Sequence, residues 1–416
     1  MLQQSSVYQV FVRNYAPQRP LQALTADLQR IQEMGFDYLY LMPIHPISNV
    51  HRKGSLGSPY SISDYYEIDE ALGDRQDFED LISKAHQLGL KVLMDMVFNH
   101  TGGDHGYLET NPDFYWRNEQ GELTFRIGDW SDIVDLDFTN SALQKELITV
   151  LEYWAQSGVD GYRFDVASLI PMSFWVQAKT QLNQRFPQLL WVAESIDLNF
   201  HRYVLKQGIM VENVAALAEV FDVFYDYETW DLLVDAFDSQ EGLKQYARAS
   251  NRQFLMHPQQ TVLWRFLENH DQPRIAQRVK NVETWLYFNF LSYGMAFVYQ
   301  GQEWGETHQT SLFDLDLIEP RFSKYAGLIS NLNQLKKAMY AHPVRGYEMS
   351  VVEGIWLIEV TTTEAMYVVI LNPFGKEGVV ELDINEGLDL VRKQRLVLDN
   401  QSISTQKLPL VLQKLA

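Results

Sequence analysis

Short apolar runs, each ending at a polar residue or a turn, recur along this chain and alternate with stretches of helical period. Val7 to Val12, Tyr38 to Met42, Lys91 to Val97, Gly161 to Asp165, Leu189 to Glu194, Val220 to Tyr225, Val262 to Leu267 and Ala296 to Tyr299 read as eight strands. Runs of this length and composition suit strands buried on both faces of a parallel sheet. Between them, Leu21 to Met34, Asp77 to Leu88, Ser141 to Ser157 and Phe174 to Phe186 carry helical spacing, and Tyr325 to Met339 follows the last strand. Gly35, Gly89 and Gly158 stand where the first three helices stop, the place of a left-handed C-terminal residue. The alternation predicts an α/β fold, a (β/α)8 TIM barrel.

Two stretches depart from the repeat. Thr101 to Asp137 is rich in Gly, Asp and aromatic residues, among them Tyr107, Phe114, Tyr115, Trp116 and Trp130. Long segments of this kind inside a compact domain are uncommon and usually functional. We therefore expect a short inserted domain over residues 101–137, after the third strand, that walls the pocket of a barrel over 1–100 and 138–342. From Pro343 the pattern turns to alternation, as in Ile355 to Val360 and Ala365 to Leu371. That predicts a C-terminal antiparallel β-sandwich domain over 343–416.

Composition excludes several partners. The net charge of −20, from 34 basic and 54 acidic residues, argues against nucleic acid or an anionic membrane surface. There is no cysteine, hence no disulfide and no thiolate chemistry. The first seven residues carry neither a basic nor an apolar signal region. The longest apolar stretch, Trp285 to Tyr299, is broken by Asn289, Ser292 and Gly294 and is too short to span a bilayer. The expected location is the cytoplasm; the sequence does not set the oligomeric state.

At the carboxyl ends of barrel strands, side chains face the catalytic mouth. Asp165 closes the fourth strand, Glu194 the fifth, and Asp271 lies just past the seventh. Asn99-His100 and Asn269-His270 follow the third and seventh. Cleaving a glycosidic bond with retention needs two carboxyl groups about 5–5.5 Å apart, and neighbouring strands at about 4.8 Å can present such a pair. Arg163 leaves the fourth strand on the same face as Asp165 and favours its ionised form. A carboxyl group that is to give up a proton needs the opposite treatment, and the apolar run before Glu194 is expected to help desolvate it.

The segments Asp95 to His100, Gly161 to Asp165, Glu194 and Asn269 to Asp271 resemble, in order and on matching strands, the four signature regions of the α-amylase family of glycoside hydrolases. Gly57 to Tyr66 resembles the segment after the second strand, and Val134 to Asp137 a fifth signature. The resemblance covers the whole chain. It implies a retaining hydrolase of α-glucosidic bonds, α-1,4 above all, in maltodextrins or starch-type glucans. It makes Asp165 the nucleophile, Glu194 the general acid/base and Asp271 the carboxylate that stabilises the transition state. Tyr60, His100, Arg163 and His270 are implied to bind the sugar being cleaved, Tyr60 by stacking and the histidines through hydroxyls. Asp95 is expected to hold Arg163.

Two features differ from many members. Val166-Ala167-Ser168 stands where they carry Lys-His, so the leaving-group subsites are expected to be built differently. A Val at that position occurs in members that accept α-1,6 bonds and also in members that cleave α-1,4 bonds. The resemblance further implies a structural Ca2+ through Asn99 and Asp135, oxygen ligands of a set the sequence does not complete. The chemistry itself requires no cofactor. Alternative readings are a 4-α-glucanotransferase, an α-1,6-acting oligosaccharide glucosidase and a non-catalytic carbohydrate-binding relative. The three carboxylates weigh against the last.

Overall fold

The structure, a computed structural model, describes residues 1–416 except 259–260, 322, 382–384, 399–400 and 415–416. Eight strands form a closed parallel barrel: β1 (Ser6–Val10), β2 (Tyr38–Leu41), β3 (Lys91–Met96), β4 (Gly161–Phe164), β5 (Leu190–Ala193), β6 (Val223–Tyr225), β7 (Val262–Arg265) and β8 (Met295–Tyr299). Their order around the barrel is β1-β8-β7-β6-β5-β4-β3-β2. Each coincides with one of the eight apolar runs, with shifted ends. β6 begins three residues late, because the Val220 and Phe221 amides both bond to the Leu217 carbonyl in a turn.

The first helices stop where the sequence places its glycines, and side chains cap the starts of two of them. Asp74 caps Arg75–Gln87 in a reciprocal box with Asp77, and Asn140 caps Ser141–Gln156. Gly35 and Gly89 follow their helices with φ of 89° and 78°, a conformation that costs glycine nothing. Other helices went unnamed in the sequence: Leu198–Lys206, Trp230–Asp238, Gln240–Met256 and Val282–Leu291. Val282–Leu291 is buried at every position except Glu283, so it has no polar face to reveal its period.

The chain divides into two compact units. One comprises Tyr8–Tyr225 and Gln309–Arg321. It holds β2 to β6, registered so that Met96 pairs with Phe164, Phe164 with Ala193, and Ala193 with Phe224. β4 starts at Gly161 because a Cβ there would sit 2.2 Å from the Leu190 carbonyl oxygen. The two ends of the 101–137 segment meet where His100–Gly102 pairs antiparallel with Ile133–Asp135.

The other unit comprises Met1–Val7, Asp226–His308 and Phe322–Ala416. It holds β7 and β8, with Trp264 opposite Met295. After helix Ala326–Met339 come β9 (Val344–Val352), β10 (Ile355–Thr362), β11 (Met366–Leu371), β12 (Val379–Glu381), β13 (Glu386–Asp389), β14 (Gln394–Val397), β15 (Ser402–Ser404) and β16 (Leu410–Lys414). Six of them form an antiparallel sheet in the order β9-β10-β11-β16-β13-β14, and β12 pairs with β15. Ile355, Ile370 and Leu412 of the large sheet share one core with Val380 and Ile403 of the small one. On the other face, Trp356 stacks on Phe288 at 4.3 Å between ring centroids. Among the described residues, no helix is long and apolar enough to cross a membrane.

Candidate active site

Asp165 and Glu194 each occupy the position just beyond a registered pair, Phe164 and Ala193, on adjacent strands. Their amides bond to the Met96 and Phe164 carbonyls, at 2.9 and 3.0 Å, so the backbone fixes where both side chains begin. Arg163, wholly buried on β4, joins three carboxyl groups: one terminal nitrogen lies 2.7 Å from Asp95 Oδ1 and 3.0 Å from Asp165 Oδ1. The other lies 2.8 Å from Glu194 Oε1. Burial alone would lower the Arg163 pKa, but the charges of Asp95 and Glu194 hold it well above its ordinary value. Asp95 is held from its other oxygen by the Tyr40 hydroxyl at 2.5 Å and the Tyr60 hydroxyl at 3.1 Å.

The second Glu194 oxygen accepts the Val166 N–H at 2.7 Å. That N–H is aimed by a backbone turn in which Val166 takes φ 36° and ψ 45°, the left-handed region. A β-branched residue rarely occupies it, at a cost of roughly 1–3 kcal/mol. The sequence reading expected desolvation to prepare Glu194 as an acid. In the structure both its oxygens instead face donors. To act as an acid, Glu194 must turn an O–H toward the leaving oxygen.

Tyr60 and His100 belong to the same unit. The Tyr60 ring lies 5.7 Å from the Arg163 guanidinium carbon. His100 is buried, its Nδ1 3.1 Å from Asn99 Nδ2 and its ring 5.6 Å from that of Trp130. Burial lowers the His100 pKa and keeps the ring neutral near pH 7, when one nitrogen donates and the other accepts. Val166 packs with Ile127, Leu169 and Val204, flanked by half-buried Trp130 and Phe200. The sequence reading missed Phe200 and this apolar wall, which joins residues distant in sequence and carries no local motif.

The other unit supplies the segment past β7. His270 is buried, and its Nε2 lies 3.0 Å from Asp271 Oδ2. Asn269 receives the Asp271 N–H on its side-chain oxygen at 2.9 Å, and its amide nitrogen donates to the Tyr227 hydroxyl at 2.8 Å. Glu268, just before, is wholly buried and pairs with Arg274 at 2.7 Å. That pair anchors the segment, and the sequence reading did not find it.

Asp135, one of the two expected calcium ligands, has a cationic side chain beside it. Asp135 Oδ2 already accepts from the Arg126 backbone N–H at 3.0 Å and from its Nε at 2.7 Å, so a guanidinium supplies the positive charge. Lys53 does the same nearby, 2.8 Å from Asp132 Oδ1. Among the described residues, no three His, Asp or Glu are grouped to hold a metal ion.

The family model described as the α-amylase catalytic domain matches residues 19–339. The α-amylase MalA of Haloarcula japonica is 27% identical over 316 residues, 73% of this chain and 44% of that protein. This chain thus spans less than half the length of that relative. An α-glucosidase of Pediococcus pentosaceus is 27% identical over 413 residues, 81% of this chain and 72% of its own. The crystal structure of an α-amylase from Lactobacillus plantarum matches with a TM-score of 0.94 at 34% identity, over 100% of this chain and 99% of that one.

Proposed function

Because the chain belongs to the α-amylase family, we propose that it is a retaining glycoside hydrolase that cleaves α-1,4 bonds in maltodextrins. The observation that carries this reading is the guanidinium shared by Asp165 and Glu194 at adjacent strand ends. Strand spacing of about 4.8 Å suits the separation of roughly 5–5.5 Å that retention requires. Asp165 attacks the anomeric carbon while Glu194 gives its proton to the leaving oxygen, which forms a glycosyl ester. Glu194 then takes a proton from water, which attacks the same carbon and restores the α configuration. Arg163 fixes both carboxyl groups against drift, since a misplacement of about 1 Å costs on the order of 100-fold in rate. Tyr60 and His100 bind the sugar being cleaved. Asp271 and His270, past the carboxyl end of β7, take the family's stabilising and hydroxyl-binding roles.

One observation favours a second reading, transfer of the glycosyl group to another sugar. The apolar wall around Val166 suits a sugar acceptor better than bulk water. Digestion of maltoheptaose followed by proton NMR tests both. Hydrolysis with retention gives the α anomer in the earliest product. An early β anomer would overturn the mechanism, and products longer than the substrate would assign transfer.

A further inference from the structure

A cavity of about 390 Å³ opens at the amino-terminal ends of β7 and β8, lined by Thr261, just before β7, and Tyr293, just before β8. Its volume lies within the roughly 300–1,000 Å³ of small-molecule sites. Its lining departs from the rest of the chain. Acids outnumber bases 54 to 34 over the sequence, yet among the described residues no Asp or Glu lines this cavity, whereas Arg265, Arg345, His257 and His342 do.

These groups differ in what they have left to offer. Arg265 is buried and engaged: it pairs with Asp226 and donates to the Tyr293 carbonyl, so it serves as a fixed floor. His257 gives Nε2 to Glu228 at 2.8 Å, and its Nδ1 is buried without a partner among the described residues. Thr261 is 5% exposed, and its hydroxyl likewise has no partner among the described residues. Arg345 is exposed at the start of β9, with no ion pair among the described residues. A hydroxyl and a planar guanidinium without partners among the described residues, on a wall with no described carboxylate, are what a phosphoryl group selects.

We propose that this cavity binds the phosphoryl group of a small metabolite, with Arg345 and Thr261 as ligands and Tyr293 beside the attached group. Two sources share that chemistry, a phosphorylated hexose and free phosphate. Isothermal titration of the full chain with glucose 6-phosphate, inorganic phosphate and glucose distinguishes them. The expected result is one bound glucose 6-phosphate with a Kd of about 1 mM or tighter, and binding that weakens as salt is raised. Arg345→Ala, at an exposed position, should weaken it at least about tenfold while leaving maltodextrin hydrolysis without phosphate unchanged. Thr261→Val should also weaken it. Inorganic phosphate binding as tightly as the ester would assign the site to the free anion. No binding of either phosphate compound at about 10 mM, equal binding of glucose, or undiminished binding by folded Arg345→Ala would each overturn the proposal.

Discussion

Two buried arginines serve opposite ends. Arg274 faces one carboxyl group, Glu268, whose second oxygen accepts the Ile275 N–H at 2.6 Å, and it also donates to the Gln300 and His308 carbonyls. One cation and one carboxylate form the close pair there, and the charges of Glu303 and Glu306 act on it as well. Arg163 is shared by Asp95, Asp165 and Glu194, three carboxyl groups around one cation. Crowded acidic groups in a low-dielectric site cost stability. They also stabilise positive charge as it develops, and glycosidic cleavage passes through an oxocarbenium-like transition state. A matched pair holds a fold, and an under-matched cluster does chemistry.

The sharpest way to break this contrast is to remove one acid from the crowded cluster. Asp165→Asn should lower activity on maltodextrin by on the order of 10⁴-fold or more, since no glycosyl ester can form. Its melting temperature should hold or rise, because a charge leaves an over-acidic site. A melting point several degrees lower would mean that Asp165 is structural after all.

Glu268→Ala should behave in reverse. It strands the Arg274 charge in the interior, so urea unfolding should show a loss of roughly 3–5 kcal/mol. Activity per folded molecule should change little. If activity collapses while stability is kept, Glu268 belongs to the reacting cluster.

A smaller effect concerns acid stability. His45 and His105 are buried, and burial is the main cause that lowers their pKa values from 6.5 to about 4. Between those values the unfolded chain binds more protons than the folded one. Their contribution is therefore complete above about pH 6.5 and is lost as pH falls toward 4, at up to about 1.4 kcal/mol per pH unit for each ring. Denaturation midpoints measured from pH 7 to pH 4 should decline, and His105→Gln should flatten the curve. An unchanged slope would mean that other groups carry it.

The smallest expected change is from chelation. With Arg126 on Asp135, EDTA should leave the melting temperature where it was. Arg126→Ala should lower stability by about 1–2 kcal/mol, because Asp135 is buried and Arg126 only partly so. A lower melting temperature for the wild type in EDTA, restored by Ca2+, would show that a metal holds this segment.

The eight strands, the early helix ends at glycines and the strand-end positions of Asp165 and Glu194 were legible in the sequence, because periodicity, helix termination and strand termination are local. The change to an antiparallel pattern after Pro343 was legible for the same reason. Helix Val282–Leu291 was not, since burial at every position but Glu283 erases the helical period. Only the tertiary structure decided what each strand end meets. It put the Arg163 guanidinium between three carboxyl groups, turned Val166 into a left-handed bend that feeds its N–H to Glu194, and set Arg126 beside Asp135. These contacts join residues up to 68 positions apart. A local pattern shows where a side chain leaves the backbone, but the charge or donor that waits there depends on which distant segments pack beside it.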